Sequence, residues 1–151
     1  MFSDQDRSFM KMALDQAKLS FNDNEVPVGA IIVKNNTVIG SGYNQVIKSN
    51  NITSHAEINA IIDASKNTNN YRLINTKMYV TLEPCHMCAK AIVDARIDEV
   101  IFAAPEPKTG SIISIDNIYD RIKFNHKTSY KYGLLQNKSS KLLKEFFKTK
   151  R

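Results

Sequence analysis

Four residues in two short segments have the types and spacing of a metal-dependent active site. They are His55 and Glu57, in a His-x-Glu pair, and Cys85 and Cys88, in a Pro-Cys-x-x-Cys segment. Two cysteines three positions apart on the first turn of a helix present both sulfurs on one side, and the helix N-terminus favours their thiolate forms. One imidazole and two thiolates suit Zn²⁺ and leave the fourth tetrahedral position for water, as in catalytic zinc sites.

This ligand set predicts one Zn²⁺ per subunit with a separate proton carrier. Zinc lowers the pKa of a bound water to about 7, so hydroxide is available at neutral pH. Glu57 would then move the proton. The chain has two further histidines, His86 and His126. His86 stands between the two cysteines and should point away from a metal that both hold, so no fourth protein ligand is evident.

Each fragment taken alone has an ordinary explanation. Ser54 and Glu57 also fit a capping box, in which Glu57 would only bond backbone N–H groups. A single histidine is more often exposed or satisfied in the core than a ligand, and an isolated Cys-x-x-Cys can be a redox pair. The combination is more specific, because both segments open predicted helices after strand-rich stretches and can meet at one sheet edge.

Helical and strand patterns alternate along the chain. We predict helices over 3–22, 54–64, 85–95 and about 137–150, and strands over 28–33, 37–42, 77–82, 98–103 and 129–135. A hairpin followed by β-α-β-α-β predicts a three-layer α/β/α sandwich, with helices on both faces of a five-stranded mixed sheet. Since 151 residues suit one domain and no repeat or linker interrupts them, we expect a single domain over 1–151 with a basic C-terminal helix.

The net charge of +6 is unevenly distributed. Residues 1–120 hold 11 Lys/Arg and 14 Asp/Glu, a balance of −3, whereas residues 121–151 hold 10 Lys/Arg and one Glu, a balance of +9. Clustered cations gain free energy by displacing the counterions condensed on nucleic acid, which favours a polyanionic partner at the C-terminal segment. On charge alone, a solvated basic helix is an equal alternative.

The expected compartment is the cytoplasm, without a membrane partner. The first twenty residues lack the apolar core of a signal peptide, and the apolar stretch over 28–33 is too short to span a bilayer. Two cysteines this close in sequence are poorly placed for a stabilising disulfide, which agrees with a reducing compartment.

The sequence resembles bacterial tRNA-specific adenosine deaminases over nearly its whole length. The His-x-Glu and Pro-Cys-x-x-Cys pair matches the signature of zinc deaminases, in which a glutamate that is not a ligand is the general acid/base. Further matching motifs are Glu25–Ala30, Gly42–Asn44, Tyr79–Pro84, Lys108–Gly110 and Phe146–Arg151. The resemblance implies hydrolysis of adenosine to inosine at the wobble position of an anticodon loop, with an arginine tRNA as the expected substrate. Water activated at the metal would attack C6 of a flipped-out adenine, and ammonia would leave.

The resemblance also assigns roles within the pocket. His55, Cys85 and Cys88 would bind zinc, and Glu57 would carry protons in both directions. Asn44 would hold the base, because its amide offers both a donor and an acceptor; the alternative is a turn asparagine.

Two smaller contributions complete this expected pocket. Val28 would form part of the wall against which the adenine packs, although ordinary core packing explains it almost as well. The backbone N–H groups of Ala56 and Cys85, at helix starts, would stabilise the charge that develops at the reacting carbon.

The expected RNA contacts lie in one loop and in the last helix. Lys108 would contact the RNA backbone, Lys148, Lys150 and Arg151 the anticodon stem, and Phe146 or Phe147 a splayed base. At least one of Phe146 and Phe147 is expected in the core. Glu106-Pro107 departs from the aspartate and small residue usual in the family, which we expect to alter loop-context preference without abolishing activity. The family is homodimeric, so a two-fold homodimer is expected.

Three alternatives remain open. A deaminase of a free base or nucleotide, such as guanine, cytosine or deoxycytidylate, shares the zinc core, but the basic C-terminal helix and the context of Asn44 favour RNA. A catalytically silent RNA-binding protein would not need Glu57 or an open zinc position. A redox protein using Cys85 and Cys88 would leave His55 and Glu57 without a role.

Overall fold

The structure, a computed structural model, describes residues 2–150. Within these residues the chain forms ten helices and strands. In chain order they are α1 (Asp4–Asn22), β1 (Gly29–Lys34), β2 (Thr37–Tyr43), α2 (Ala56–Thr68), β3 (Lys77–Leu82), α3 (His86–Asp94), β4 (Glu99–Ala104), α4 (Ile118–Arg121), β5 (Ser129–Tyr132) and α5 (Gln136–Lys148).

The strands form one mixed sheet in the order β2-β1-β3-β4-β5. The β1–β2 and β1–β3 pairs are antiparallel, whereas the β3–β4 and β4–β5 pairs are parallel. Parallel neighbours need a crossover connection, and α3 supplies it between β3 and β4. The carboxyl end of β3 therefore leads directly into the first turn of α3.

Side chains that alternate along the central strands bury both faces of the sheet. Ile32, Met78 and Phe102 pack toward α2 and α3, and their neighbours Ile31 and Tyr79 pack toward α1. On the α1 side, α5 also lies against β3 and β4. The three-layer α/β/α sandwich predicted from the order of elements is confirmed.

Several boundaries differ from the sequence prediction. Helix α2 continues past residue 64 to Thr68 and ends where Asn69 takes a left-handed conformation (φ 52°). Strand β5 stops at Tyr132 instead of 135, because Gly133 and Leu135 have positive φ values of 96° and 55°. The short helix α4 was not predicted, and α5 runs from 136 to 148 instead of about 137–150.

A close contact between β2 and α2 sets the geometry of the site. A Cβ on Gly42 would lie 2.4 Å from the backbone nitrogen of Ala60 and 2.5 Å from the carbonyl oxygen of Ala56. Only glycine allows this approach. It brings the end of β2 next to the first turn of α2.

Among the helices of residues 2–150, none combines the length and apolar composition needed to cross a membrane.

Candidate active site

Three side chains that could hold a metal ion meet where α2 and α3 begin. His55 is the N-cap residue of α2, and Cys85 is the N-cap residue of α3, with Cys88 one turn further. His55 Nδ1 lies 3.6 Å from Cys85 Sγ and 3.4 Å from Cys88 Sγ. Nitrogen and sulfur ligands of one tetrahedral zinc ion, at bond lengths of about 2.1 and about 2.3 Å, stand about 3.6 Å apart. The three residues therefore fit zinc.

The remaining histidines have other partners. His86 Nε2 lies 2.9 Å from a carboxylate oxygen of Asp116, and His126 Nε2 lies 3.0 Å from the carbonyl oxygen of Ile97. His86 thus turns away from the two sulfurs, as its position between the cysteines predicted. Within residues 2–150, the metal-ligating cluster consists of His55, Cys85 and Cys88.

The two thiols differ strongly in acidity. A hydrogen bond with the Cys88 thiol, opposed by burial and assisted by His55, lowers the pKa of Cys85 to about 4. The same hydrogen bond, together with burial, raises the pKa of Cys88. The pKa of His55 is raised, chiefly by its hydrogen bond with Cys85. Cys85 is therefore a thiolate at neutral pH, which is the form that binds a metal ion.

Glu57 lies in the first turn of α2, two residues after His55, and is only 4% exposed. Burial raises the pKa of its carboxyl group to about 7, a value suited to a group that both accepts and donates a proton. The capping-box alternative does not hold. His55 is the N-cap residue, it makes no side-chain capping bond, and the Ser54 hydroxyl contacts Asn59 instead.

Asn44 directly follows β2 and presents an unpartnered amide oxygen. Its backbone N–H donates to the Val28 carbonyl oxygen (3.1 Å), and its side-chain Nδ2 donates to the Val26 carbonyl oxygen (3.3 Å). Among the described residues, its Oδ1 is the one buried side-chain polar atom without a hydrogen-bond partner. Since a buried polar atom costs free energy unless it is bonded, this oxygen suits a ligand that donates a hydrogen bond.

A cavity of about 270 Å³ joins these groups. Twelve side chains line it: Val26, Val28, Asn44, His55, Ala56, Glu57, Leu82, Glu83, Cys85, Glu106, Thr109 and Phe147. Of the substrate-binding residues expected from the sequence, Asn44, Val28, Ala56 and Glu106 therefore line the same cavity as His55, Glu57 and Cys85. Val28 lines the cavity and is also part of the hydrophobic core.

The residues expected to contact RNA divide between this cavity and a neighbouring groove. Lys108 lies outside the cavity and lines the groove with Lys148 of α5, whereas Phe147 borders both spaces. Phe147 is 49% exposed, but Phe146 is 5% exposed and packs edge-on against Phe21, with ring centroids 5.9 Å apart. Arg151 lies outside the described residues.

Comparison with known proteins gives the family. The zinc-binding region of cytidine and deoxycytidylate deaminases matches residues 3–104. A tRNA-specific adenosine deaminase of Aquifex aeolicus is 45% identical over 140 residues, which is 93% of this chain and 92% of that protein. The chain belongs to the tRNA-specific adenosine deaminases.

Other members of this deaminase family match over most or all of the chain. The tRNA-specific adenosine deaminase of Buchnera aphidicola (subspecies Schizaphis graminum) is 41% identical over 151 residues, covering 100% of this chain and 99% of that one. A solved structure from a study of A-to-I editing by tRNA:A34 deaminases superposes with a TM-score of 0.86 at 36% identity, over 89% of this chain and 98% of the other.

A more distant deaminase shares the fold. The guanine deaminase of Nitrosomonas europaea superposes with a TM-score of 0.82 at 18% identity, over 97% of this chain and 85% of that one. At this identity the likeness concerns the fold alone.

Four residues that line the deaminase cavity were not assigned to it from the sequence: Val26, Leu82, Glu83 and Thr109. Glu83 has the clearest sequence signal, because it is a carboxylate placed between an apolar strand and the Pro-Cys-x-x-Cys segment. Burial alone would raise its pKa, but hydrogen bonds led by those from the Ile113 N–H and the Ser114 hydroxyl lower it. Glu83 is therefore an ionised, buried side chain at the edge of the site.

Proposed function

We propose that this chain hydrolyses adenosine to inosine at the wobble position of a tRNA anticodon loop. The observation that carries the proposal is one cavity lined by His55, Cys85, Glu57 and Asn44, whose amide oxygen has no partner. The third zinc-fitting side chain, Cys88, lies beside it, with its Sγ 3.4 Å from His55 Nδ1. The family membership supports the same reaction, because relatives that are 45% and 41% identical to this chain are named tRNA-specific adenosine deaminases.

The reaction exchanges an amino group for oxygen: adenosine and water give inosine and ammonia. His55, Cys85 and Cys88 would hold the zinc ion, which would supply Lewis-acid activation of the attacking water. Glu57 passes one proton from that water to N1 of the ring as the C6–O bond forms. It then passes a second proton, from the new C6 hydroxyl, to the amino group, so that the C–N bond breaks and ammonia leaves. Because burial places its pKa near neutrality, Glu57 can exchange protons in both directions.

The walls of the cavity orient the base. Asn44 Oδ1 accepts a hydrogen bond from the nucleoside, while Nδ2 stays bonded to the Val26 carbonyl oxygen. Val28 supplies an apolar surface for the ring. Backbone N–H groups at the helix start, at Ala56 and Cys85, stabilise the developing charge. A complex with a transition-state analogue that showed no contact to these N–H groups would contradict this last assignment.

The RNA strand leaves the cavity past Phe147. This half-exposed ring borders both the cavity and the groove that contains Lys108 and Lys148. An aromatic ring at such a place can stack on a base, and the lysines can contact phosphates. Lys148 and Arg151 are proposed to reach the anticodon stem.

Glu106 is proposed to tune the preference for nucleotides beside the target adenosine. Its side chain borders the cavity, and its Oε1 accepts a hydrogen bond from the Lys108 N–H (2.9 Å). Glu106→Asp shortens the side chain by one methylene group, and we expect it to change relative rates among stem-loops that differ next to the adenosine. Equal rates for the variant and the wild type on every loop would contradict this role.

The functional unit is proposed to be a homodimer of one-domain subunits that works in the cytoplasm. Support for a second copy comes from Ile62 and Tyr71, which are 47% and 73% exposed and border a common shallow groove along α2. A dimer that covers this groove would convert to a monomer in an Ile62→Glu variant. Sedimentation of the variant beside the wild type tests this.

The reaction and the substrate class are tested together. Zinc-loaded protein and a Glu57→Ala control are each given an arginine-tRNA stem-loop with a wobble adenosine, or free adenine, guanine or cytosine. We expect inosine from the stem-loop with the wild type only. Turnover of a free base without RNA product would move the chain to the small-molecule deaminases. No turnover of any substrate despite bound zinc would favour a silent RNA-binding protein.

A further inference from the structure

A single buried carboxylate, that of Glu83, joins the zinc-ligand segment to the loop over residues 106–114. Glu83 follows β3, is 3% exposed and lies two residues before Cys85. Its Oε1 accepts hydrogen bonds from the Glu106 N–H (3.0 Å) and the Ser114 hydroxyl. Its Oε2 accepts three more, from the N–H groups of Ile112 (3.0 Å), Ile113 (2.8 Å) and Ser114 (3.1 Å).

These bonds reach both ends of the loop. Glu106 is at the start of the loop and residues 112–114 are at its end, so the Glu83 carboxylate links the two ends by hydrogen bonds. The neighbouring Pro84 carbonyl oxygen adds two bonds, from the N–H and the hydroxyl of Ser111, both 3.0 Å. Hydrogen bonds to a charged, buried acceptor are stronger than neutral ones. The shape of the loop therefore depends on Glu83.

The packing at Gly110 shows how tightly the loop and the carboxylate fit. A Cβ on Gly110 would lie 2.3 Å from Glu83 Cδ and 2.4 Å from Glu83 Oε1. No side chain can be added there unless the loop or the carboxylate moves. Gly110 thus provides a second way to disturb this contact, one that leaves the charge of Glu83 in place.

Side chains of this loop border both the cavity and the neighbouring groove, along which the RNA is proposed to run. Glu106 and Thr109 border the cavity, and Lys108 borders the basic groove. We propose that Glu83 is a positioning residue that holds the 106–114 loop in its RNA-binding shape and so sets how tightly the strand beside the target nucleoside is bound. This inference rests on the proposed function, which identifies RNA as the ligand of the loop.

Glutamine at this position would test the role with little change in volume. It removes the negative charge and turns one acceptor oxygen into an NH₂ group that faces N–H donors. Glu25→Gln is the matched control. Glu25 is 1% exposed and accepts the N–H groups of Ile47 (3.1 Å) and Lys48 (2.7 Å), in a loop outside the cavity.

Steady-state kinetics on the wobble-adenosine stem-loop and amide hydrogen exchange are measured for both variants and the wild type. Glu83→Gln is expected to raise KM by about tenfold over Glu25→Gln, with a smaller change in kcat and the same zinc content as the wild type. Exchange at residues 106 and 112–114 is expected to accelerate in Glu83→Gln only. A KM within about twofold of the control, or unchanged exchange in the loop, would overturn the inference.

If Glu83→Gln does not fold, the Gly110→Ala variant tests the same inference. It is expected to raise KM by about tenfold with full zinc content, and an unchanged KM would overturn the inference. Failure of the proposed function is recognised separately, because the wild type and Glu25→Gln would then form no inosine. Two measurements need no turnover and still apply in that case. Hydrogen exchange decides whether Glu83 holds the loop, and a stem-loop binding titration of the variants decides whether the loop binds RNA.

Discussion

Neighbouring groups in the site differ in acidity because their surroundings differ. Hydrogen bonds to the sulfur lower the pKa of Cys85 to about 4, whereas burial raises the pKa of Glu57 to about 7. A thiolate is the form that binds a metal ion, and a carboxyl group near neutrality can exchange protons in both directions. The proposed zinc ligand Cys85 and the proposed proton carrier Glu57 thus have acidities that suit their different roles, and both lie where a helix begins.

Glu57→Gln separates proton transfer from metal binding. The zinc ligands and the cavity shape are kept, but the group that moves the proton is lost. We expect the rate of inosine formation to fall by about 10²- to 10⁴-fold, with the zinc content unchanged by elemental analysis. The control variant Glu25→Gln changes a buried carboxylate outside the cavity, and this variant should form inosine at the wild-type rate. An active Glu57→Gln protein would show that another group moves the proton.

At this scale the sequence was informative where chemistry limits the choice of residue. His55, Glu57, Cys85 and Cys88 could be selected because few residue types bind zinc or carry protons, and their spacing matched helix starts. Glu83 could not be selected in the same way. Its role depends on hydrogen bonds to a loop 23 to 31 residues further along the chain, and only the folded structure brings these together.

The two aromatic side chains of α5, Phe146 and Phe147, have different surroundings and therefore different expected roles. Phe146 is buried against Phe21, whereas Phe147 is half exposed at the mouth of the cavity. We expect Phe146→Ala to lower the free energy of unfolding by about 3–5 kcal/mol and Phe147→Ala to change it by less than about 1 kcal/mol. Phe147→Ala should instead weaken stem-loop binding. Chemical denaturation and binding titration distinguish them, and equal stability losses would contradict the division.

Helix α1 is attached to the sheet by an ionised side chain. The Tyr79 hydroxyl donates to Asp6 Oδ1 (2.6 Å), and the Ser3 N–H donates to Asp6 Oδ2 (3.0 Å). Burial raises the pKa of Asp6, but these hydrogen bonds outweigh it, so the pKa lies below the ordinary value of 3.8. A lowered pKa in the folded state adds stability above the unfolded pKa, and this is lost as the pH falls through the folded pKa.

Asp6→Asn should therefore cost about 1 kcal/mol of unfolding free energy at pH 7. The difference from the wild type should shrink as the pH falls below about 4, because the carboxyl group of the unfolded state then becomes protonated while that of the folded state, with its lowered pKa, is still charged. Urea denaturation at pH 7 and pH 3 measures both values. A difference that stays constant across this pH range would mean that the charge of Asp6 adds nothing to the free energy of unfolding.

Element boundaries were less predictable than element order. The order followed from hydrophobic periodicity, but α2 and β5 end where Asn69 and Gly133 take positive φ values. Asparagine and glycine permit that conformation without requiring it, so their presence does not locate an end. The four-residue helix α4 is too short to produce a periodic pattern.

Over the whole molecule, charge is separated along the chain, with a balance of −3 over residues 1–120 and +9 over residues 121–151. Part of the basic segment lies beside the cavity, since Lys144 and Lys148 line the neighbouring groove. Counterion release then makes RNA binding depend on salt. The sequence predicted this asymmetry, but only the fold showed that the basic groove adjoins the cavity.

Lys148→Gln should reduce the slope of log affinity against log salt concentration by about one. Lys34→Gln, at the end of β1 and outside the groove, should leave the slope unchanged. Stem-loop titrations at a series of salt concentrations give both slopes. Identical slopes for the two variants would contradict a phosphate contact at Lys148.

The central claim is zinc-dependent deamination of one adenosine in a tRNA. The most direct measurement is site-resolved inosine in a whole arginine tRNA with a wobble adenosine, after incubation with zinc-loaded protein, zinc-stripped protein or the zinc-loaded Glu57→Ala variant. We expect inosine at the wobble position alone, and only with zinc-loaded wild-type protein. No inosine with the zinc-loaded wild type, or equal inosine after the zinc is removed, would contradict the account.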